Sequence, residues 1–404
     1  MVFESLRVRC LCVKSCYQDD CKLSKGHKKT AAFSTRCFSP VSGRLQIDLA
    51  ALAHNYGVLH GGNAENLAAV VKADAYGLGA NEIAAALWAE GCREFFVAQA
   101  AEGVQLRRRL PDAHIYVLEG VTTSSYATLS AQNLRPVLNS IEQCALWSPS
   151  GLPASLQLDS GMARLGLSAA EVLPAVRNHD LDVRVLLSHF ARADEVEHDF
   201  TELQIQRVIS VFTALQQLRP ELRLSFSNSA ACVSGVALPA GIEQLGRAGI
   251  GLYGGSPIAG SRAHDSGLKA VASVFGQVLQ LRNLEAGAPV GYGGTYIASA
   301  QERIMIVGVG YADGVPRLLS NQGEVFFQGQ RCSIRGRVSM DMLHADASKV
   351  DVAVGDWVEV IGENICVDDV AAQAQTIPYE VLTGLGKRLH RVYGTDSDME
   401  GYSP

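Results

Sequence analysis

The stretch Leu67–Asp74, LAAVVKAD, decides the fold because it is the first of eight short apolar runs of the same kind. The other seven are Glu94–Gln99, His114–Gly120, Leu134–Ser140, Ser155–Gly161, Val183–Phe190, Arg223–Ser229 and Gly246–Gly254. Runs of this length, rich in Val, Ile, Leu and Phe, are typical of strands buried on both faces. Helical patterns such as Glu82–Glu90 and Phe200–Gln217 lie between them. Strands that alternate with helices eight times predict an α/β fold with an N-terminal (β/α)8 TIM-like barrel.

After about residue 268 the pattern changes to strands separated by Gly and Asn turns. The strand-like segments are Val271–Leu284, Ala288–Ile297, Arg303–Val309, Gly323–Phe327, Ser333–His344 and Asp356–Ile361, with helical patterns only at Val367–Gln375 and Tyr379–Arg391. This pattern of strands and turns predicts a C-terminal, mainly antiparallel β domain. We therefore expect the barrel at residues 43–268 and the β domain at residues 269–404. The strand near residues 44–49 is open to pairing in either of them.

Residues 1–42 differ in composition from everything that follows. They contain eight Lys and Arg against three acids, and five of the ten cysteines of the chain. They show no periodic apolar face and no apolar core long enough for a secretory signal. We predict a disordered or non-native N-terminal extension, with organelle targeting as the alternative.

Composition excludes several classes of function. A net charge of −6 gives no reason to expect nucleic acid or an anionic membrane as a partner. No apolar run approaches the roughly 18 residues that a transmembrane helix needs. The cysteines after residue 43 are single and scattered, which indicates a reducing compartment and no disulfide framework. The sequence therefore predicts a soluble, cytoplasmic protein without a metal site.

The carboxyl ends of the predicted barrel strands are where a barrel enzyme carries its chemistry. The polar residues found there are Lys72 and Tyr76 after strand 1, Arg164 after strand 5, His189 after strand 6, Asn228 and Ser229 after strand 7, and Arg247 in strand 8. A lysine within an apolar strand is costly unless its amine is neutral or covalently occupied. Lys72 is therefore a candidate Schiff-base amine, with a snorkelling lysine as the alternative.

A phosphate site is indicated after strands 7 and 8 of the predicted barrel. Ser229 and the Gly249–Ile250 amides follow strands 7 and 8, where barrels commonly bind phosphate through loop N–H groups. An amine and a phosphate cradle in one site are what pyridoxal phosphate needs.

The motif AVVKADAYGLG, Ala69–Gly79, resembles the cofactor-attachment motif of alanine racemases, which are fold-type III pyridoxal-phosphate enzymes. Further matches follow in order along the chain: DSGMARLGL (Asp159–Leu167), SHFARADE (Ser188–Glu195), NSAA (Asn228–Ala231), RAGIGLYG (Arg247–Gly254), GYGGTY (Gly291–Tyr296), GYADG (Gly310–Gly314) and GRVSMD (Gly336–Asp341). The resemblance extends from about residue 44 to the C-terminus, and so many ordered motifs make a chance match very rare.

The resemblance implies roles for individual residues. Lys72 would hold the cofactor aldehyde and act as the base on one face of the substrate, and Tyr292 of the partner subunit would be the base on the other. The resemblance thus implies a homodimer with shared active sites. It also implies that the enzyme interconverts L- and D-alanine through an external aldimine and supplies D-alanine for peptidoglycan. The phosphate would be held by Tyr76, Ser229, the amides of Gly249 and Ile250, and Tyr379, with Asn228 beside them. The substrate carboxylate would be held by Arg164 and the Met340 amide, with Asp341 alongside.

Arg247 would face the pyridine nitrogen of the cofactor. Because an arginine does not give up its proton, that nitrogen should stay unprotonated and the cofactor should be a weaker electron sink. Limited delocalisation favours return of the proton to the α-carbon, which is racemisation, over transamination. His189 would link Arg247 to the tyrosine base and help to lower the pKa of its phenol.

The chain departs from the family pattern in the carboxylate pocket. Many alanine racemases have a carbamylated lysine seven residues before the substrate arginine, and this chain has Gln157. A broad-specificity or serine racemase of the same fold is the nearest alternative function. A non-catalytic pyridoxal-phosphate carrier is an alternative of another class, although that family lacks a second domain and any counterpart of Tyr292.

Overall fold

Eight parallel strands close into a barrel in the computed structural model, which describes residues 41–195, 198–236 and 238–394. After a first strand outside the barrel, β1 (Gly43–Asp48), these are β2 (Leu67–Val70), β3 (Glu94–Val97), β4 (His114–Val117), β5 (Arg135–Leu138), β6 (Ala154–Gln157), β7 (Val183–Leu187), β8 (Arg223–Ser225) and β9 (Gly246–Ala248). β2 to β8 pair in sequence order and β9 pairs with β2. Bridges from Leu224 to Gln244 and from Asn228 to Arg247 complete the ring. The predicted (β/α)8 barrel is confirmed.

Helices alternate with these strands along the chain. They are α1 (Leu49–His60), α2 (Lys72–Tyr76), α3 (Ala80–Ala89), α4 (Ala100–Arg109), α5 (Tyr126–Ala131), α6 (Ile141–Trp147), α7 (Ala169–Asn178), α8 (Asp199–Gln216) and α9 (Ser229–Ser234). The strands are buried on both faces, as Phe95, Phe96, Leu186 and Leu187 illustrate. The apolar runs of the sequence therefore form the barrel core, where burial of each large side chain contributes about 2 kcal/mol.

The barrel strands are shorter than the sequence pattern predicts. The run Leu67–Asp74 is strand only to Val70, and the run Val183–Phe190 is strand only to Leu187. The polar residues at the ends of the predicted runs consequently lie in turns beyond the strands. This difference places Lys72 and His189 at the barrel mouth, where side chains are free to face a ligand.

The C-terminal part of the described chain forms a second, mainly antiparallel sheet. The elements of this region are β10 (Ala272–Leu284), β11 (Pro289–Val290), β12 (Tyr296–Ile297), β13 (Glu302–Val307), β14 (Glu324–Phe327), β15 (Gln330–Ser333), β16 (Leu343–Asp346), β17 (Trp357–Ile361), α10 (Val367–Gln373), α11 (Pro378–Thr383) and β18 (His390–Gly394). Of these, β11 and β12 pair with each other in a small two-stranded sheet of their own. The long strand β10 pairs antiparallel with β1, β13 and β17, which confirms the predicted sheet type. None of the described helices is long and apolar enough to cross a bilayer.

Three predicted elements of this region are wrong in detail. Ser333–His344 is not one strand, because a loop with Gly336 in the left-handed region separates β15 from β16. Ala288–Ile297 is split by a turn at Tyr292–Gly294, whose glycines also have positive φ. The predicted helix Tyr379–Arg391 ends at Thr383, and its last residues pair in β18 instead.

The first strand belongs to the second sheet. β1 lies between β10, to which it is antiparallel, and β18, to which it is parallel. Ser42 extends this pairing, since its carbonyl accepts from Gln277 N at 2.8 Å. The remainder of the predicted N-terminal extension, residues 1–40, lies outside the described residues, and the boundary at residues 268 and 269 stays a prediction.

Candidate active site

Lys72 starts a left-handed turn rather than ending a strand. The four residues that follow it have φ between 52° and 57°, although none of them is glycine. A left-handed conformation costs an L-residue about 1–2 kcal/mol. Such strain persists only where surrounding contacts hold it, and it concentrates at functional sites. The turn is therefore the first structural sign that this end of the barrel is built for chemistry.

The C-terminal strand supports the far end of this turn. Arg391 donates to the carbonyl of Gly77 at 2.7 Å, and the Tyr393 hydroxyl donates to the carbonyl of Leu78 at 2.9 Å. Gly79 must be glycine, because a Cβ there would collide with the Tyr393 hydroxyl and its φ is +100°. The second sheet thus helps to fix the loop that carries Lys72.

The amine of Lys72 lies in a basic environment. Its pKa is lowered, first by burial and then by the positive charges of Arg164 and Arg247. A lowered pKa favours the neutral amine, which is the nucleophilic form. The lysine is half-buried at the barrel mouth and does not extend into bulk solvent.

Arg247 is a buried cation whose described partners are neutral groups. It is only 6% exposed. One terminal nitrogen donates to the carbonyl and hydroxyl of Ser225 at 2.6 and 2.8 Å, and the other donates to the carbonyl of Ser188 at 2.7 Å. The second nitrogen also lies 2.9 Å from His189 Nδ1. Burial lowers the pKa of Arg247 to about 10, so the guanidinium stays charged at neutral pH.

His189 is held as a neutral imidazole by this arrangement. Burial, Arg247, Arg164 and Lys72 together lower its pKa to about 3. Because the guanidinium is always a donor, His189 Nδ1 must be the acceptor of their contact and the proton must be on Nε2. The predicted link between Arg247 and His189 is therefore present in the geometry, while its extension to a tyrosine base stays a prediction.

Ser229 anchors the other side of the site. Its hydroxyl accepts from the amides of Gly249 at 2.8 Å and Gly251 at 3.3 Å. Asn228 caps α9 by accepting from Ala231 N at 2.9 Å. A Cβ on Gly249 would lie 2.5 Å from the Tyr76 hydroxyl, so glycine is required for that phenol to approach. These contacts bring N–H and O–H groups from two strand ends together, which is suited to an anion.

Arg164 is displayed by a loop that folds back on β6. Asp159 Oδ1 accepts from the amides of Gly161, Met162 and Ala163 at 2.9, 2.9 and 3.2 Å. The loop then returns, since Leu167 N donates to the carbonyl of Gln157 at 2.8 Å. Arg164 itself is exposed, so its charge is available to a ligand.

One cavity of about 530 Å³ collects most of the residues predicted from the sequence. Its lining includes Lys72, Tyr76, Arg164, His189, Asn228, Ser229, Arg247, Gly249, Ile250 and Tyr379. A smaller cavity of about 160 Å³ shares Lys72, Gln157, Arg164 and His189 and extends toward Asp159. The main volume suits a small cofactor with its substrate.

Three predicted residues lie outside these cavities. Tyr292 is 71% exposed and lines a separate recess of about 290 Å³ on the second sheet. Met340 is 52% exposed, and Asp341 pairs with Arg388 at 2.7 Å. Within one chain, therefore, the described structure does not bring Tyr292, Met340 or Asp341 to Lys72.

Sequence reasoning missed two contributors to the site. Glu102 contacts the turn after Lys72, and the α11 face that carries Ile377, Glu380 and Thr383 lines the main cavity. Glu102 occupies the N3 position of α4, three residues after Gln99, where an acid commonly caps a helix. That spacing was the available signal, because the helix after β3 begins at the barrel mouth.

Barrel and cavity together define an enzyme of the (β/α)8 class that brings a lysine amine and several N–H and O–H groups together at the same strand ends. The family model "Alanine racemase, N-terminal domain" matches residues 47–257, and "Alanine racemase, C-terminal domain" matches residues 271–393. This chain belongs to the alanine racemase family.

Curated relatives and solved structures agree with this membership. The alanine racemase of Brucella suis is 41% identical over 379 residues, covering 87% of this chain and 93% of that protein. A catabolic alanine racemase of Agrobacterium fabrum is 42% identical over 367 residues, covering 87% and 92%. The crystal structure of alanine racemase from Bartonella henselae, with covalently bound pyridoxal phosphate, superposes with a TM-score of 0.79 at 36% identity, covering 88% of this chain and 100% of that chain.

Proposed function

We propose that this chain interconverts L-alanine and D-alanine with pyridoxal phosphate held on Lys72. The observation that carries the proposal is the shared cavity, in which an amine of lowered pKa, a buried arginine and the Ser229 cradle face one another. When bound, the cofactor supplies an aldehyde for the amine and an electron-withdrawing ring for the substrate.

The residues present fit this cofactor. Lys72 supplies the amine, and Tyr76, Ser229, Ile250 and Tyr379 supply donors for a phosphate in the same cavity. Both terminal nitrogens of Arg247 are used by Ser188, Ser225 and His189, so its Nε–H is the donor left for a ring nitrogen. We infer that the aldehyde of the cofactor would meet the Lys72 amine, its phosphate would meet these donors, and its ring nitrogen would meet Arg247.

Arg247 directs the reaction toward racemisation. Its guanidinium donates a hydrogen bond without releasing the proton, so a ring nitrogen facing it stays unprotonated. Electron withdrawal from the α-carbon is then limited, and the proton returns to that carbon. His189 is neutral and hydrogen-bonded to Arg247. Because this partner is not a carboxylate, it leaves the positive charge of the arginine uncompensated.

Two bases serve opposite faces of the α-carbon. Lys72 removes or returns the proton on one face, and Tyr292 of the partner subunit does so on the other. The 71% exposure of Tyr292 in one chain supports a role that is completed by a second copy. The enzyme in this proposal is a homodimer in the cytoplasm.

Arg164 positions the substrate carboxylate, with the Met340 amide and Asp341 of the partner subunit alongside. Gln157 lines both cavities beside Arg164, and its amide can donate or accept but carries no charge. The exposed guanidinium of Arg164 thus remains available for a bidentate contact with a carboxylate.

The test is complementation between Lys72→Ala and Tyr292→Phe chains. Each variant alone should lose racemisation, and Tyr292→Phe should retain the visible absorbance of the bound cofactor. Mixed, unfolded and refolded together, the chains should recover roughly a quarter of wild-type activity, because half of randomly assorted dimers are hybrids with one intact site of two. No recovery, with hybrid dimers present, would place the tyrosine base within the same chain. Full activity of Tyr292→Phe alone would remove this residue from the reaction.

Substrate preference is tested with alanine, serine and lysine in both enantiomers. We expect the highest kcat/KM for alanine. A higher value for serine or lysine would make the chain a racemase of other specificity, and a bound cofactor with no racemisation of any of them would favour a carrier.

We further propose that the D-alanine formed supplies peptidoglycan. Deletion of the gene should then make growth of the source organism depend on added D-alanine. Growth without D-alanine, in the absence of a second racemase, would assign the enzyme to alanine breakdown.

A further inference from the structure

Glu102 joins the start of α4 to the turn that follows Lys72. Its Oε1 accepts from the amide of Ala73 at 2.7 Å. Its Oε2 accepts from the amides of Ala98 and Gln99 at 2.8 and 3.0 Å. One carboxylate thus binds the residue after Lys72 and the end of the loop after β3.

The contact with Ala73 lies where the backbone is most strained. Ala73 is the first of the four left-handed residues, with φ of 54°. Its amide belongs to the planar peptide unit that joins it to Lys72. The hydrogen bond therefore fixes the orientation of that peptide unit, and with it the direction of the Lys72 side chain. Without it, the turn would lose an external contact at its first residue, and relaxation would reorient the amine.

Glu102 also acts on the charge of Lys72. Burial, Arg164 and Arg247 lower the pKa of this lysine, and Glu102 raises it. Glu102 is the acidic group that acts on Lys72 among the described residues. Its negative charge therefore partly offsets the effect of the two arginines on the pKa of the Lys72 amine.

We propose that Glu102 is a positioning residue for Lys72, which clamps the left-handed turn and sets the charge balance of the amine. The proposal deepens the function proposed above and rests on it only for the role of Lys72 as the working amine. The geometry that supports it is the pair of contacts from one carboxylate, to Ala73 on one side and to Ala98, in the loop before α4, on the other.

α7 offers a matched control for simple loss of a helix cap. Glu171 is the N3 acid of α7, and its Oε2 accepts from the amide of Ser168 at 2.8 Å, as Glu102 does from the amide of Gln99. Glu171 makes no contact with Lys72 or its turn among the interactions of the described residues. Glu171→Gln therefore removes a comparable helix cap without changing the surroundings of Lys72.

The first readout is the reactivity of Lys72 in the full-length chain freed of cofactor. Reductive methylation with formaldehyde and borohydride is followed by peptide mass spectrometry across a pH series. For Glu102→Gln, we expect the midpoint of the Lys72 profile to move to lower pH by about half a unit, because a nearby carboxylate is neutralised. Glu102→Asp keeps the charge but is one methylene shorter, so its midpoint should stay near that of the wild type.

The second readout is steady-state racemisation of alanine by the cofactor-loaded enzyme. Both Glu102 variants should lower kcat about tenfold, because the base is misaligned, and change KM less than twofold. Glu171→Gln should match the wild type in both readouts. An unmoved Lys72 midpoint in Glu102→Gln, or equal effects of Glu102→Gln and Glu171→Gln, would overturn the proposal. A shifted midpoint in a chain whose wild type does not racemise alanine would sustain the role of Glu102 and refute the function instead.

Discussion

At the amino end of the barrel, arginines meet carboxylates of the same chain, whereas the buried Arg247 at the carboxyl end meets neutral groups. Arg223, the first residue of β8, lies 3.2 Å from buried Glu94, and Arg184 in β7 lies 2.7 Å from Asp182. Arg247 at the other end donates to serine oxygens and His189. A buried charge is costly unless it is paired.

This contrast separates structural charges from functional ones. The amino end is complete within one chain, and its ion pairs serve stability, as expected of that face of a barrel. The carboxyl end keeps the positive charges of Arg164 and Arg247 around a cavity. We infer that an anionic ligand completes the balance of charge there.

Lys72→Ala should have the largest effect. Removal of the amine that holds the cofactor and transfers protons should lower racemisation by at least about 10³-fold. The visible absorbance band of the Schiff base should disappear, and borohydride should no longer attach cofactor to the peptide that contains residue 72. Circular dichroism should be unchanged. A persistent trapped adduct at another lysine would contradict the assignment of Lys72.

Arg247→Glu should come next, because it reverses the charge that faces the ring. We expect racemisation to fall by about 10²-fold and the ratio of transamination to racemisation to rise about tenfold. The products are separated by measuring pyruvate and D-alanine in one reaction. Arg247→Lys keeps a positive charge and should fold if the glutamate variant does not, with a smaller change of the ratio. An unaltered ratio in both variants would oppose the argument from the ring nitrogen.

At the amino end, Glu94→Gln should change stability and leave catalysis alone. Glu94 Oε2 accepts from the Tyr116 hydroxyl at 2.6 Å, and Oε1 lies 3.2 Å from both His114 and Arg223. Loss of the charge leaves Arg223 only partly compensated, and we expect the free energy of unfolding to fall by about 3 kcal/mol. Urea unfolding measures this, and kcat/KM for alanine should stay within twofold. A loss of activity in the folded variant would show that the two ends are coupled.

The smallest effect is the pH dependence that His189 contributes. Its pKa in the folded protein, about 3, lies below the ordinary value of 6.5, so the unfolded chain binds the proton first as pH falls. Stability is therefore lost on acidification, by about 1–2 kcal/mol between roughly pH 7.5 and pH 5. His189→Gln keeps an acceptor for Arg247 without titrating, so its unfolding free energy should depend less on pH over this interval. Parallel pH profiles would contradict the lowered pKa.

The barrel could be predicted because burial on both faces leaves an apolar signature in every strand. Leu67–Val70 and Glu94–Val97 lie inside the predicted runs, and the predicted helix Phe200–Gln217 nearly coincides with α8. The second sheet was harder because its loops contain strand-like residues. The chain of Ser333–His344 turns at Gly336. This glycine packs tightly against Val290, and no local sequence pattern encodes that contact.

The site could be predicted as a set of residues but not as a geometry. Lys72, His189 and Arg247 were found from their positions at strand ends. The left-handed turn from Ala73 to Tyr76 was not, because L-residues avoid that conformation and only distant contacts stabilise it. Glu102 and Arg391, which make such contacts, are 30 and 319 residues from Lys72 in the sequence.

The pairing of β1 with β18 has a consequence for the order in which the chain matures during synthesis. Arg391 and Tyr393 belong to β18, the last strand of the described chain, and they bind the loop that follows Lys72. The ribosome releases the barrel strands long before this strand emerges, and domains fold as they appear. The nascent barrel can therefore form without the full set of contacts around its lysine. The loop acquires those contacts only after β18 has been synthesised, so the cofactor first meets its finished site on a chain that already contains the second sheet.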